Sequence, residues 1–237
     1  MMSMNLVFRS FLRPILLGGL MLGGDFFGGG QSMADPPVEK ATAAEETPWK
    51  DLDIRPDGSW VQSRFGGDGK LEIADGVISL GFGDPLTGVR WEGDFPKIGY
   101  EISLETRRTN GFDFFCGLTL PVGDQRCSLI LGGWGGSLVG LSSIDGMDAA
   151  HNETMLIREF EQNRWYKVRM QVTEKRLRVW LDDEQIIDFE RDERPLDIRS
   201  EMEQSTPVGI AAFQCQSQIK NVRIRLVGEQ ANAADKK

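Results

Sequence analysis

The 237-residue sequence predicts an all-β fold, a sandwich of antiparallel sheets, from three observations. Many short segments alternate apolar and polar residues, as half-buried strands do. Turn-forming residues separate these segments at fairly regular spacing. No window has the apolar period of a helix longer than two turns. One sandwich domain accounts for all three observations.

The first half of the predicted domain opens with a hairpin. Residues 71–73 and 77–80 flank Asp75-Gly76, a strong signal for a tight turn between two strands. Residues 100–108 then alternate strictly between apolar and polar side chains. Further strands are predicted at residues 112–122, 127–134 and 138–144.

The second half has the clearest strand pattern. Residues 165–189 contain three alternating segments separated by two charged turns, which predicts a meander of three antiparallel strands. Two more strands, at residues 208–215 and 219–227, end the predicted domain.

The composition excludes several classes of function. Lys and Arg total 27 against 36 Asp and Glu, a formal charge of −9. Nucleic-acid binding is not predicted, because phosphate neutralisation needs clustered cations. The single histidine, His151, excludes sites with two or more histidine ligands. An apolar content of 40% is too high for a mostly disordered chain.

The N-terminus is typical of an export signal. Arg9 and Arg13 precede the apolar run 14–22, and Ser32-Met33-Ala34 offers the small residues of a cleavage site. We therefore expect residues 1–34 to be a signal peptide. The alternative is a retained membrane anchor, although the apolar run is short for a bilayer span.

The predicted domain lies between two polar segments. Residues 35–48 are rich in Pro, Ala and Glu and are predicted to be a disordered tether. The folded domain is expected at residues 49–227, followed by a polar tail at 228–237. No stable membrane span is predicted in the mature chain. The expected location is the periplasm, the cell envelope or the extracellular space.

Export raises the question of a disulfide, because oxidising compartments permit one. Cys116 and Cys127 flank a predicted turn. If Leu120 pairs with Gly123, the two cysteines lie opposite each other, with Cβ atoms roughly 4.5–5.5 Å apart. A Cys116–Cys127 disulfide and three buried thiols, with Cys215 as the third, remain alternatives.

Four segments follow a layout that occurs in a known family. They are residues 165–169 (WYKVR), 179–183 (VWLDD), 208–210 (VGI) and 219–224 (IKNVRI). The layout resembles the 3-keto-disaccharide hydrolase family, whose domain is a concanavalin A-like jelly roll. The resemblance covers most of residues 60–226.

The resemblance implies an exported protein that acts on carbohydrate. Enzymes of the family are associated with cleavage of 3-keto-glycosides by elimination and with hydration of the resulting glucal. A 3-keto group acidifies the C2 proton, so a base and an enolate stabiliser suffice. The family often has H-W-x-N-G and L-Q-D-H-G motifs where this chain has residues 179–183 and 211–215, without a histidine. The sequence therefore favours sugar binding over efficient catalysis.

The middle of the chain contains the candidate sugar site. Trp134, between two glycine pairs, is a candidate aromatic platform for the C–H face of a sugar. Asp113, Asn152 and Glu153 are candidate ligands of sugar hydroxyls. The alternative is that Trp134 caps the core.

The same region contains the candidate bases for C2 deprotonation. His151, Asp145 and Asp148 are the three candidates, and an ordinary surface histidine is the alternative for the first. No cofactor is predicted with certainty. A divalent cation remains an option, because Asp145, Asp148, Asn152 and Glu153 supply oxygen ligands, although their spacing is not that of a helix-loop-helix calcium loop.

A second candidate surface is the outward face of the meander. Trp180 is expected to share this face with Arg169 and Arg178, either as a binding face or covered by arginine stems. The first option would suit a competing hypothesis, a non-catalytic interaction domain of the cell envelope.

Overall fold

The computed structural model describes residues 46–228, which form two antiparallel sheets. The predicted signal peptide, residues 35–45 of the predicted tether and residues 229–237 of the tail lie outside the described residues. None of the helices among residues 46–228 has the length and apolarity needed to cross a membrane. The strands are β1 (Lys50–Asp51), β2 (Trp60–Gln62), β3 (Leu71–Ala74), β4 (Val77–Leu80), β5 (Leu86–Trp91), β6 (Tyr100–Gly111), β7 (Cys116–Val122), β8 (Gln125–Gly132), β9 (Leu138–Ser142), β10 (Leu156–Ile157), β11 (Tyr166–Val172), β12 (Arg176–Leu181), β13 (Glu184–Glu190), β14 (Gly209–Phe213) and β15 (Cys215–Leu226).

The two sheets have different strand orders. The first runs β13-β12-β11-β6-β15-β4-β3, with β1 also paired to β15, and the second runs β10-β9-β8-β7-β14-β5-β2. Glu46 and Thr47 already pair with Val227 and Leu226, so ordered pairing begins slightly before the predicted start of the domain. The inner faces of the two sheets enclose one apolar core, as in a β-sandwich. The predicted sandwich is confirmed.

The two sheets differ in how their outer faces are covered. In the first sheet, β11 and β12 alternate between buried and partly exposed residues, which is why their pattern was clear in the sequence. In the second sheet, every residue of β7 and β9 is buried. A strand covered on both faces has no alternation of apolar and polar residues. The first four residues of β5 are buried, and this explains why the sequence pattern did not predict that strand.

Two segments cover the outer face of the second sheet. One is the loop 143–155, which follows β9, and the other is the 3-10 helix Ser200–Ser205 before β14. They are joined at their bases, where the backbone N–H of Asp197 donates to the carbonyl oxygen of Ser143 at 3.1 Å. This cover creates the concave surface described below.

Of the two alternatives for Cys116 and Cys127, the structure has the buried thiols and not the disulfide. The β7–β8 hairpin turns at Gly123-Asp124, with Val122 opposite Gln125, so Cys127 lies opposite Leu120 rather than opposite Cys116. The assumed register was therefore wrong. Both cysteines, and the third one, are free and buried among the described residues.

Candidate functional site

The outer face of the second sheet carries a cleft of about 260 Å³ with mainly apolar walls. We call it the apolar cleft. Its lining residues come from the segment before β7, from β8 and the turn after it, from β9 and β14, and from the 3-10 helix with the residue before it. They are Asp113, Phe114, Ser128, Ile130, Trp134, Ser142, Arg199, Glu201, Met202 and Phe213.

A glycine in β7 allows the walls of this cleft to close on the sheet. A Cβ atom at Gly117 would lie 3.0 Å from Cε2 of Phe114 and 3.1 Å from Cε of Met202, so a larger residue would push both side chains outward. Phe114 also packs on Phe213, with ring centroids 5.6 Å apart. The backbone N–H of Phe213 donates to the carbonyl oxygen of Phe114 at 2.9 Å, which fixes these two walls relative to each other.

Trp134 is held at the rim of the apolar cleft by an unusual turn. The turn Gly133–Gly136 places Trp134 in the left-handed region, with φ of 48°, and leaves 46% of the residue exposed. A non-glycine residue in this conformation is strained, and such strain is concentrated at functional sites. Asp113 braces the turn, because its Oδ2 accepts a hydrogen bond from the Gly135 N–H at 3.3 Å. Trp134 is thus exposed at the rim of the cleft, and Asp113 has a structural role.

A second cleft, of about 370 Å³, adjoins the first. We call it the polar cleft, and the two together the joined cleft. Both are lined by Arg199 and Glu201, so no separate wall divides them. The other residues that line the polar cleft are Ser143, Gly146, Asp148, Asp197, Ile198 and Ser200.

Asp148, which lines the polar cleft, pairs with His151, which lies beside the cleft. Nδ1 of His151 is 2.6 Å from Oδ1 of Asp148, and the histidine side chain is 70% exposed. Because Asp148 engages Nδ1, the other ring nitrogen is the one available to a ligand. Arg199 donates to the opposite carboxylate oxygen of Asp148 at 3.0 Å.

The surroundings of Asp148 keep it ionised. Burial acts to raise the pKa of this carboxyl group. Hydrogen bonds from His151 and from the Ala150 N–H, together with the charges of His151 and Arg199, outweigh burial and lower the pKa below its ordinary value of 3.8. An ionised Asp148 is an acceptor for Nδ1–H and so orients the imidazole.

Two other predicted site residues have a different partner. Asp145 and Glu153 both bind the guanidinium group of Arg194, whose Nε donates to Oδ2 of Asp145 at 2.8 Å. The hydrogen bond from Arg194 lowers the pKa of Glu153 below its ordinary value of 4.5. Neither carboxylate lines the joined cleft. The arrangement clamps the loop 143–155 to the segment that follows β13.

Asn152 holds the same loop from inside. It is buried, and its amide nitrogen lies 2.8 Å from the carbonyl oxygens of Leu141 and Asp148 and 3.2 Å from that of Met147. Its Oδ1 accepts from the backbone N–H and the hydroxyl group of Thr154, at 3.0 and 2.6 Å. The amide therefore bonds within the loop and to the end of β9, and it lines neither cleft.

The acidic residues of the loop do not assemble into a cation site. Among residues 46–228, no group of three or more His, Cys, Asp and Glu side chains converges in a way that could hold a metal ion. The four oxygen-bearing residues considered in the sequence are divided between Arg194, the loop backbone and the His151 pair.

Trp180 lies on the opposite side of the molecule from this cleft, on the outer face of the first sheet. Arg169 is directly across from it in the β11–β12 pairing, as predicted, and the guanidinium carbon lies 3.7 Å from the ring centroid. Arg169 and Arg225 both donate to the fully buried Glu101, at 2.6 and 2.8 Å. The cations beside Trp180 are thus paired within the sheet, in agreement with the covered-face alternative.

Several residues of the joined cleft were missed by the sequence analysis. Phe114 falls within the predicted strand 112–122 and Phe213 within the distant predicted strand 208–215, and nothing in the pattern places them together. The segment 195–206, which supplies Arg199, Glu201 and Met202, has neither alternation nor a recognisable motif. The only available signal was the concentration of Phe and Trp around residues 112–134.

Residues 49–225 match the family model of the 3-keto-alpha-glucoside-1,2-lyase-like domain. No curated protein matches the chain. A protein of unknown function with a galectin-like fold from Bacillus subtilis has a TM-score of 0.56 at 9% identity, covering 78% of this chain and 99% of that one. The ligand-free Crh5 transglycosylase has a TM-score of 0.50 at 11% identity, covering 79% and 85%. The carbohydrate-binding module CBM66 from Bacillus subtilis has a TM-score of 0.45 at 12% identity, covering 69% and 93%. The first two similarities indicate a shared fold.

Proposed function

Because the chain belongs to the family of 3-keto-alpha-glucoside-1,2-lyase-like domains, we propose that it binds a glycoside in the joined cleft and cleaves the 3-keto form by elimination. The jelly-roll fold and the carbohydrate-active class follow from this membership. The observation that carries the proposal is the contact between two different clefts. One offers aromatic walls, and the other is lined by Arg199 and by Asp148, whose carboxylate holds His151 beside it.

The joined cleft has the chemistry that sugar recognition needs. Aromatic rings such as Trp134 bind the C–H faces of a sugar, and carboxylate, guanidinium and hydroxyl groups bind its hydroxyl groups. Asp148, Arg199 and Glu201 supply the polar groups on the side away from Trp134. The domain therefore offers an apolar surface and a polar surface to one ligand.

In the proposed elimination, His151 is the base. Its Nε2 takes the proton from C2 of the 3-keto-glycoside, and the electron pair of that C–H bond forms an enolate with the keto group. The enolate then re-forms the keto group as the C1–C2 double bond forms and the bond from C1 to the glycosidic oxygen breaks. The leaving oxygen receives a proton from the imidazolium group or from water, so the products are a 3-keto-glucal and an alcohol.

Two neighbours would support this reaction without entering it. Asp148 is a positioning residue, because it holds Nδ1 of His151 and stabilises the imidazolium charge. Arg199 lines both clefts and supplies a positive charge for the developing enolate oxygen. Proton transfer by a positioned side chain typically contributes about 10²–10⁴-fold to the rate.

The test is a cleavage assay with 3-keto-glucosides and their unoxidised parents, in which the measured quantity is the alcohol released. The proposal expects release from the keto substrates alone and a loss of at least about 10²-fold in His151→Gln. Asp148→Asn should lose less activity and shift the pH profile, whereas Asp145→Asn, a carboxylate of the same loop held by Arg194, should retain it. Release that survives His151→Gln would refute the role of this base. Binding without release in the folded wild type would leave a sugar-binding domain.

We further propose that the protein is exported and that the signal peptide ends at Ala34. The support is the sequence pattern of residues 1–34. N-terminal sequencing of the protein recovered outside the cytoplasm should then begin at Asp35. A cytoplasmic chain that begins at residue 1 or 2 would contradict this proposal.

A further inference from the structure

A row of three hydroxyl groups runs across the second sheet, and two of them, on Ser128 and Ser142, line the floor of the apolar cleft. Thr119, Ser128 and Ser142 lie on β7, β8 and β9, and the strand pairing places Thr119 opposite Ser128 and Ser128 opposite Ser142. All three residues are at most 1% exposed. They share the outer face of the sheet, because their neighbours Leu118, Leu129 and Leu141 belong to the core.

The row ends in an unsatisfied hydroxyl group. Oγ1 of Thr119 and Oγ of Ser128 are 2.8 Å apart and form a hydrogen bond with each other. Oγ of Ser142 is buried and has no hydrogen-bond partner among residues 46–228. Ser142 also lines the apolar cleft. A buried hydroxyl group without a partner costs free energy, so this is a position at which a ligand oxygen would be stabilising.

The rest of the apolar cleft offers few polar partners. Phe114, Phe213 and Met202 form its walls, with Ile130 on the floor and Trp134 at the rim. A pyranose ring with several hydroxyl groups would lose hydrogen bonds to water against these walls without replacement. The polar cleft, in contrast, offers carboxylate, guanidinium and hydroxyl groups together.

We propose that the apolar cleft binds an aryl aglycone, with one oxygen of the aryl group hydrogen-bonded to Ser142, while the sugar ring occupies the polar cleft. This inference rests on the proposed function, because it assumes that the joined cleft binds a glycoside. The three aromatic rings of the cleft, two in its walls and Trp134 at its rim, favour an aromatic group over an alkyl group, since aromatic rings gain from offset and edge-to-face contacts. A single free hydroxyl group at the floor favours a single oxygen on that ring.

The test is a set of dissociation constants for methyl, phenyl and hydroxyphenyl glucosides, the last with the hydroxyl group at position 3 or 4, each as the 3-keto form and as its parent. The proteins are the wild type, Ser142→Ala and Ser217→Ala. Ser217 is a matched control, because its hydroxyl group is also buried and without a partner but lies on β15 in the other sheet.

The inference expects phenyl glucosides to bind at least about 10-fold more tightly than methyl glucosides in the wild type. One hydroxyphenyl isomer should gain a further factor of about 2–10, and Ser142→Ala should abolish that gain while leaving phenyl binding unchanged. Ser217→Ala should behave as the wild type.

Two outcomes would overturn the inference alone. Equal binding of methyl and phenyl glucosides would exclude an aryl preference but would leave glycoside binding intact. An equal effect of Ser142→Ala on all ligands would exclude the assigned contact. Failure of every glycoside to bind to the folded protein would instead refute the proposed function itself.

Discussion

Replacing Asn152 by alanine should destabilise the protein strongly, and it separates two roles for this residue. The sequence suggested Asn152 as a sugar ligand, whereas the structure buries its amide within the loop 143–155. Two well-formed donor bonds at 2.8 Å and two acceptor bonds from Thr154 would be lost. At about 1 kcal/mol net for each bond, the free energy of unfolding should fall by about 4 kcal/mol.

Urea unfolding of the two proteins measures this change. A loss of about 4 kcal/mol is a large fraction of the typical stability of a domain, about 5–15 kcal/mol. Asn110→Ala is the control, because Asn110 is exposed and its side chain accepts a single hydrogen bond within residues 46–228, from the Gly111 N–H. It should lose less than about 1 kcal/mol.

The opposite pattern would refute this reasoning. If Asn152→Ala unfolds at nearly the same urea concentration as the wild type but no longer binds glycosides, the amide is a ligand and not a brace. Asn152→Asp adds a second check, because its carboxylate would face carbonyl oxygens that now accept from the amide, so it should lose stability at neutral pH as well.

Three further predictions concern the rest of the fold. Burial raises the pKa of all three cysteine thiols to about 12, so none of them should react with a thiol reagent at pH 8 in the folded protein. All three should react after unfolding, as counted by mass spectrometry. If only one thiol is labelled in the unfolded protein, two cysteines form a disulfide and the assignment of free thiols is wrong. Glu101→Gln should lower the free energy of unfolding in urea by about 3 kcal/mol, because it removes the buried carboxylate shared by two arginines. Glu105 is partly exposed, so Glu105→Gln should lower the same free energy by less than about 1 kcal/mol. Equal losses in the two variants would contradict the burial of Glu101. Arg194 lowers the pKa of Glu153, so this pair stabilises the folded state above the ordinary pKa of 4.5, and the stabilisation is lost as the pH falls through the lower folded pKa. The difference in unfolding free energy between the wild type and Arg194→Met should therefore shrink from pH 7 to pH 3. A constant difference would show that the clamp is not electrostatic.

The accuracy of the strand predictions depended on solvent exposure. The meander β11–β13 was predicted well, because its outer face is partly exposed and its residues alternate. β5 was missed and β7 was given four extra residues at its start, because these strands are covered on both faces and their sequences carry no alternation. The register error at the β7–β8 hairpin had a different cause. The sequence 121–124 allows more than one turn, and only packing chooses between them.

Only part of the candidate site follows from the sequence, for similar reasons. Trp134 was found because the glycines around it indicate a turn, and a tryptophan in a turn tends to be accessible. Asp145, Asn152 and Glu153 have the right chemistry for sugar recognition, but a sequence does not show whether a polar loop residue bonds to its own loop. Arg199 and Met202 are distant in the sequence from Trp134, and the strand order that joins them is a property of the whole fold.

The central claim is that a glycoside binds in the joined cleft and not on the outer face of the first sheet. The six tryptophans of the chain include Trp134 at the cleft and Trp180 on that opposite face, so their indole N–H signals report on both surfaces in one ¹H–¹⁵N spectrum. Signals are assigned with Trp134→Phe and Trp180→Phe. On titration with a 3-keto-glucoside, the account predicts a saturable shift of the Trp134 signal and none of the Trp180 signal. A shift of Trp180 with Trp134 unmoved would contradict the account.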